Sequence, residues 1–395
     1  MPNKKRTIFT KILIWRYKYI SERQFILVLS VLVGFLAGLG TVLLKYLTLF
    51  IQSVLEGGFI RNYYYSLYFI FPIVGVWLVY LIKKNFLKKE IGHGISTTLY
   101  AISKRSGIIE RYKMFASFMV APITVGFGGS VGLQGPAVST GAAIGSNVAS
   151  MFHMNAKTRM LLIGCATAGA MSSMFKAPVA AIVFAVEIFS LDLVFTSLVP
   201  LLLASVAAVI TSYFFRGTDV LFSFELLDAW RVKDIVFYVF LGVATGIASV
   251  YFSKMYFLIT RFFAWFSNAY VKIGIAALAI GLMLYLFPPL YGEGYGLINN
   301  LLNGETEAAL NGIQYQIDFN NVWIVVVILL LIAVFKAIAM TTTFAAGGVG
   351  GIFIPTLFMG SALGNSVAKV INQFGFEVSE SNFTLIGMTG LMAGV

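Results

Sequence analysis

The chain has 395 residues, 59% of them hydrophobic and only 11% charged, with a mean hydropathy of +0.89. Soluble domains carry about 25% charged residues, so this composition excludes an ordinary soluble domain, and 36 Phe, 19 Tyr and 5 Trp exclude a disordered chain. A net charge of +12 would point to nucleic acid in a soluble protein, but its placement here points to topology, and no nucleic-acid partner is expected. A single cysteine, Cys165, excludes a disulfide framework or a thiolate cluster, and the two histidines, His93 and His153, give no basis for a metal site. No metal and no resident cofactor are expected.

Seven bases precede the first long apolar run: Lys4, Lys5, Arg6, Lys11, Arg16, Lys18 and Arg23. Eight more lie between Lys83 and Lys113, whereas the stretch from Gln52 to Arg61 has one base and one acid. The positive-inside rule places the N-terminus and the 83–113 stretch on the cytoplasmic side, with two spans between them near 25–51 and 64–82. Residues 7–20 read as an amphipathic segment lying on the lipid surface, and 1–23 as a cytoplasmic N-terminal segment without a cleavable signal. Membrane lipid is therefore an expected partner, and a bacterial inner (plasma) membrane the expected location.

Apolar runs continue at 114–127, 136–152, 159–173, 178–191, 193–215, 235–266, 271–287, 321–342, 355–371 and 384–395. Several fall short of the roughly 20 residues of a clean span, and Gly and Pro break many of them. Such interruption is the sequence mark of half-helices lining a transport site. The last run reaches the final residue, as expected of a chain cut within a span. Two charges fall in apolar runs. Glu187 reads as a structural acid, with a proton or gating role as the alternative. Lys336 reads as a snorkelling or paired cation, with a role in raising anion potential as the alternative.

Residues 128–149 and 347–368 match at nine of 22 positions with a constant offset of 219, including Gly132/Gly351, Pro136/Pro355, Gly141/Gly360 and Gly145/Gly364. Leu162-Ile163-Gly164 recurs as Leu385-Ile386-Gly387, and Gly92-His93-Gly94-Ile95 more weakly as Gly292-Glu293-Gly294-Tyr295. The expected organisation is a first membrane repeat over 24–215 and a second over 216–395, with a pathway where repeats meet. Each motif is a Gly-rich stretch, then a proline, then a small-residue helix. Proline suits a first helical turn because its missing N–H has no helical acceptor there. The product is a helix N-terminus whose amides and dipole attract an anion. Such a site needs almost no formal charge. The later Gly-x-x-x-Gly spacings read as close helix packing.

These motifs resemble the CLC family of chloride channels and proton-coupled chloride transporters. Gly132-Leu133-Gln134-Gly135-Pro136 is similar to its G(R/K)EGP gating motif, Gly351-Ile352-Phe353-Ile354-Pro355 to its GxFxP motif, and Gly92-His93-Gly94-Ile95-Ser96 stands at its GSGIP motif. Phe175-Lys176-Ala177-Pro178 through Glu187 resembles the stretch after the gating motif. The resemblance implies an all-α polytopic membrane protein with an inverted-repeat fold of short, broken, tilted helices. It also implies a homodimer with one pore per subunit. Bound chloride would be held at Gly132, Leu133, Gly135, Pro136, Gly94, Ile352, Phe353 and Ile354, by the backbone amides of all but the proline, with His93 at the family's serine position.

Three departures bear on function. The gating glutamate position is Gln134, which cannot ionise and resembles a protonated, open gate; it is either native or a replacement of a native Glu. The family's internal proton-transfer glutamate falls at Ile188, next to Glu187, which weakens a proton pathway. The tyrosine of the family's last membrane helix has no counterpart because the chain ends before the place where it is expected. The expected function is channel-like, uncoupled permeation of chloride or a similar anion, not an enzyme activity. The alternatives are a chloride/proton antiporter whose gating Glu is replaced by Gln134, or a relative selective for another anion such as fluoride or nitrate. An intramembrane protease would need a Ser/His pair or two Asp within spans, and the apolar runs contain no Asp.

Overall fold

The computed structural model describes residues 18–56, 69–88, 94–190, 195–218, 220–223, 231–313, 315 and 317–395. The apolar runs fold as helices, in chain order α1 (Glu22–Glu56), α2 (Phe71–Ile82), α3 (Ile95–Arg105), α4 (Lys113–Gly126), α5 (Gln134–Met151), α6 (Ala156–Phe175), α7 (Pro178–Phe189) and α8 (Phe195–Arg216). Then follow α9 (Ile235–Ala264), α10 (Ala269–Leu286), α11 (Tyr295–Leu302), α12 (Thr306–Ala309), α13 (Val322–Ala345), α14 (Phe353–Gln373) and α15 (Glu380–Gly394). Among the described residues there is no strand, only one isolated bridge. The amphipathic segment expected at 7–20 lies outside the described residues up to residue 17, as do Gly92 and His93.

Helix ends follow local chemistry. Asn155, Asn268, Asn321 and Ser379 cap α6, α10, α13 and α15, each accepting a main-chain N–H of the first turn. α6 stops at Lys176 in a left-handed conformation, and α7 restarts on Pro178 at its first position. α2 and α7 are only 12 residues long, which matches the short, broken runs of the sequence.

Among the described residues, five helices are long and apolar enough to cross a membrane: Glu22–Leu55, Ser197–Arg216, Val232–Ala264, Ala269–Leu286 and Val322–Ala345. On α9, Val236, Val239, Phe240, Val243, Ile247 and Val250 are exposed. Their spacing makes one stripe at the helical period, the face a spanning helix offers to lipid.

The chain divides into two compact units. The first comprises Met1–Leu44, Ile91–Phe118 and Pro136–Val220. There α1 meets α8 through Gly34 and Gly38, which leave no room for a Cβ against the backbones of Ala204 and Ala208. α5 meets α6 in the same way: a Cβ on Gly141 would lie 2.7 Å from the Ala166 carbonyl oxygen. The second unit comprises Lys45–Glu90, Met119–Gly135 and Leu221–Val395. There Gly360 and Gly364 bring α14 against the backbone of α15 at Gly387 and Phe383. Both Gly-x-x-x-Gly stripes are thus packing stripes, as the sequence implies.

Candidate functional site

The site is built inside the second unit, where the two copies of the repeated motif meet. α4 and α13 each end in a left-handed glycine, Gly128 (φ 93°) and Gly347 (φ 92°), a conformation with no steric cost only for glycine. Gly129 then donates to the Thr124 carbonyl at 2.8 Å, and Gly348 to the Thr343 carbonyl at 2.9 Å. The same offset of 219 relates both pairs. The chains next run side by side. Gly132 N–H donates to the Gly351 carbonyl at 3.0 Å and Gly351 N–H to the Gly132 carbonyl at 2.7 Å, an antiparallel bridge between equivalent residues.

The flanking side chains swap in the same manner. Ser130 N–H donates to Thr343 Oγ1 at 3.3 Å, and Val349 N–H donates to Thr124 Oγ1 at 3.2 Å. Ser130 and Val349 are equivalent positions, as are Thr124 and Thr343. Reciprocal bonds between equivalent residues are what a local two-fold axis produces, so the repeats are inverted at this point. In a span these main-chain groups have no water to turn to, and each unmade bond would cost about 1–3 kcal/mol.

Beyond the bridge the chains enter α5 at Gln134 and α14 at Phe353, with Pro136 and Pro355 both in third place. A Cβ on Gly351 would lie 2.6 Å from Gly135 N, so the loop before α14 sits directly on the first turn of α5. Ile354 is fully buried, Phe353 half-buried and Ile352 38% exposed. Gly132, Leu133, Gly135 and Pro136 are buried.

Gln134 is 1% exposed. Its Nε2 donates to the Tyr295 hydroxyl at 2.6 Å and to Glu293 Oε1 at 3.4 Å. Leu133 N–H donates to the same Glu293 oxygen at 2.9 Å, and the Tyr295 hydroxyl does so at 3.4 Å. Gln134 Oε1 is buried and, among the described residues, has no hydrogen-bond partner. The Lys45 ammonium lies 5.6 Å from the centre of the Tyr295 ring. Lys336 is fully buried on α13; its ammonium donates to the carbonyls of Gly292 at 3.0 Å and Leu290 at 3.4 Å and stands 4.6 Å from the Phe358 ring centre. Lys45 and Lys336 both interact electrostatically with Glu293.

Lys336 takes the buried one of its two expected roles: it is fully buried and bonds to carbonyls beside the motif instead of snorkelling. One sequence expectation is corrected here: the site is not nearly free of ionisable side chains, because folding brings Glu293, Lys45 and Lys336 close to the gate. Glu293, Tyr295 and Lys45 were not singled out by motif. The one signal for Glu293 was the faint match of Gly292-Glu293-Gly294 to Gly92-His93-Gly94, which made it the counterpart of the serine-position residue. Of the remaining candidates, Gly94 precedes α3 with φ 46° and its carbonyl accepts the Thr97 and Thr98 hydroxyls. Glu187 is exposed in the last turn of α7 and Ile188 is half-buried beside it.

Comparison with known proteins agrees with this architecture. Residues 73–395 match the family model described as voltage gated chloride channel. A putative chloride channel protein ClcB-like of Ralstonia nicotianae is 26% identical over 82% of this chain and 72% of its own length. The H(+)/Cl(-) exchange transporter ClcA of Vibrio cholerae is 26% identical over 93% of this chain and 78% of its own. Among solved structures, a CLC-type fluoride/proton antiporter superposes with a TM-score of 0.74 at 21% identity, covering 98% of this chain and 88% of that one. A slow cyanobacterial Cl-/H+ antiporter gives 0.76 at 18% identity, covering 95% and 86%. The family model covers most of the chain, and the structural likeness carries the fold: this protein belongs to the CLC family of voltage gated chloride channels.

Proposed function

We propose that this protein carries chloride or a similar small anion across a membrane, through one pore in each subunit of a homodimer. The main-chain amides at the N-termini of α5 and α14 hold the anion, and Gln134 stands at the gate. The observation that carries this reading is the reciprocal Gly132–Gly351 bridge, which brings two helix N-termini, with their dipoles, to one place. Backbone donors bind an anion firmly enough to strip its water and weakly enough to let it leave. Residues 24–215 and 216–395 act as the two membrane repeats, with the N-terminus on the cytoplasmic side of a bacterial plasma membrane.

Gln134 cannot ionise, so uncoupled permeation is the first reading. A second reading, exchange of chloride for protons, draws support from Glu293, a carboxylate hydrogen-bonded to the gate amide, and from the exchanger named among the relatives. The test is chloride efflux from proteoliposomes with the internal pH recorded at the same time. Efflux without proton movement supports permeation; stoichiometric proton movement supports exchange; no efflux of chloride, fluoride or nitrate rejects both.

A further inference from the structure

Glu293 lies between α10 and α11, flanked by two glycines in left-handed conformations, Gly292 (φ 58°) and Gly294 (φ 83°). A side chain at 294 would meet the Phe358 ring at 2.5 Å. The two glycines therefore let this short segment bend tightly between Val125 and Phe358 and turn Glu293 toward α5. Its Oε1 is the acceptor for the Leu133 amide at 2.9 Å, the Gln134 amide at 3.4 Å and the Tyr295 hydroxyl at 3.4 Å. An oxygen taking a main-chain N–H at a helix N-terminus, together with side-chain donors, does what a bound anion would do there. A halide and this carboxylate would need the same donors.

We propose that Glu293, and not residue 134, is the carboxylate that competes with the transported anion for this site. Ionised, Glu293 occupies the donors of Leu133 and Gln134; protonated by a proton taken from the adjoining solution, it gives them up to the anion. This rests on the permeation reading above. It also gives the neutral residue at the gate position a reason. The Gln134 amide presents Nε2 to Glu293 and leaves its own Oε1, although buried, without a partner among the described residues. An ionised carboxylate at 134 would have no proton to offer Glu293 and would repel it. The charged and titratable groups facing Glu293 among the described residues are Lys45 from α1, Lys336 from α13 and Tyr295 from α11.

The experiment uses the full chain in proteoliposomes, with chloride efflux measured from pH 8 to pH 4.5 for the wild type and Glu293→Gln, and chloride affinity measured by calorimetry in detergent over the same range. A site-competent state populated at about a tenth would weaken apparent affinity about tenfold. Wild-type efflux and affinity should therefore rise about tenfold on acidification, and Glu293→Gln should show the acid-state values at every pH. A Glu293→Gln profile that keeps the wild-type pH dependence overturns the proposal. So does a wild-type chloride affinity that is flat with pH, a result that needs no variant to fold. Transport with a flat pH profile rejects the Glu293 gate and leaves permeation standing; no anion binding or flux at any pH rejects permeation itself.

Discussion

Gly132 and Gly351 exchange both of their main-chain hydrogen bonds, so each copy of the motif is held in place by the other. The bridge leaves no space for a side chain. A Cβ at 351 would fall 2.6 Å from Gly135 N and 3.1 Å from Gly135 Cα, both backbone atoms at the start of α5.

Gly351→Ala should therefore force the two motifs apart, with a cost of about 1–3 kcal/mol for overpacking and loss of anion flux. Gly246→Ala on α9 is the matched control, because a Cβ there meets nothing within 4 Å. It should hold or raise stability by up to about 1 kcal/mol, the difference between Gly and Ala in a helix. Thermal unfolding of both purified variants in detergent, followed by size exclusion, checks the contrast. Equal midpoints would contradict it.

Gln134→Glu should sharpen pH dependence, not merely add a gate. The new carboxylate would stand where Gln134 Nε2 now lies, 3.4 Å from Glu293 Oε1. Two like charges about 4 Å apart repel by roughly 4 kcal/mol at an effective dielectric of 20. One of the pair must then carry a proton at neutral pH, as in a carboxylate dyad. Chloride efflux from pH 8 to pH 4.5 should follow two titrating groups in this variant against one in the wild type.

Lys336→Met should be destabilising, by about 1–3 kcal/mol, because it removes a buried donor from the Gly292 carbonyl and one of two from the Leu290 carbonyl. Lys336→Met with Glu293→Gln should cost less than the two single changes added together, by about 1 kcal/mol. Unfolding midpoints of the four proteins close this cycle. Additive costs would mean that the two charges act independently.

Tyr295→Phe removes the closest acceptor of the gate amide, at 2.6 Å, and one of the donors to Glu293 Oε1. The expected cost is about 1–3 kcal/mol, the penalty for a buried polar group left short of a partner. Because the hydroxyl also holds Glu293 in the donor cradle, chloride affinity at neutral pH should tighten while stability falls. A calorimetric titration beside a thermal melt separates these two effects.

Much of this was legible locally. Proline and glycine positions predicted where α5 and α14 begin, because a missing N–H and a missing Cβ act on the chain within a residue or two. The 22-residue repeat predicted that the motifs are equivalent, and the Gly-x-x-x-Gly spacing predicted the packing of α5 and α14 on their neighbours. Glu293 was hard to see for a physical reason. It lies in a short turn between apolar runs, where an acid looks solvated, and only the faint 92–95/292–295 match marked it.

Composition and pattern by themselves thus determined a membrane protein of broken helices, duplicated and pointed at an anion. They do so because hydropathy, helix breaking and repetition are properties of neighbouring residues. Tertiary structure decided what surrounds the gate. Leu133 and Glu293 are 160 positions apart in sequence, and only the inverted meeting of the two motifs brings that carboxylate, and the buried Lys336 beside it, to an amide that carries no charge of its own.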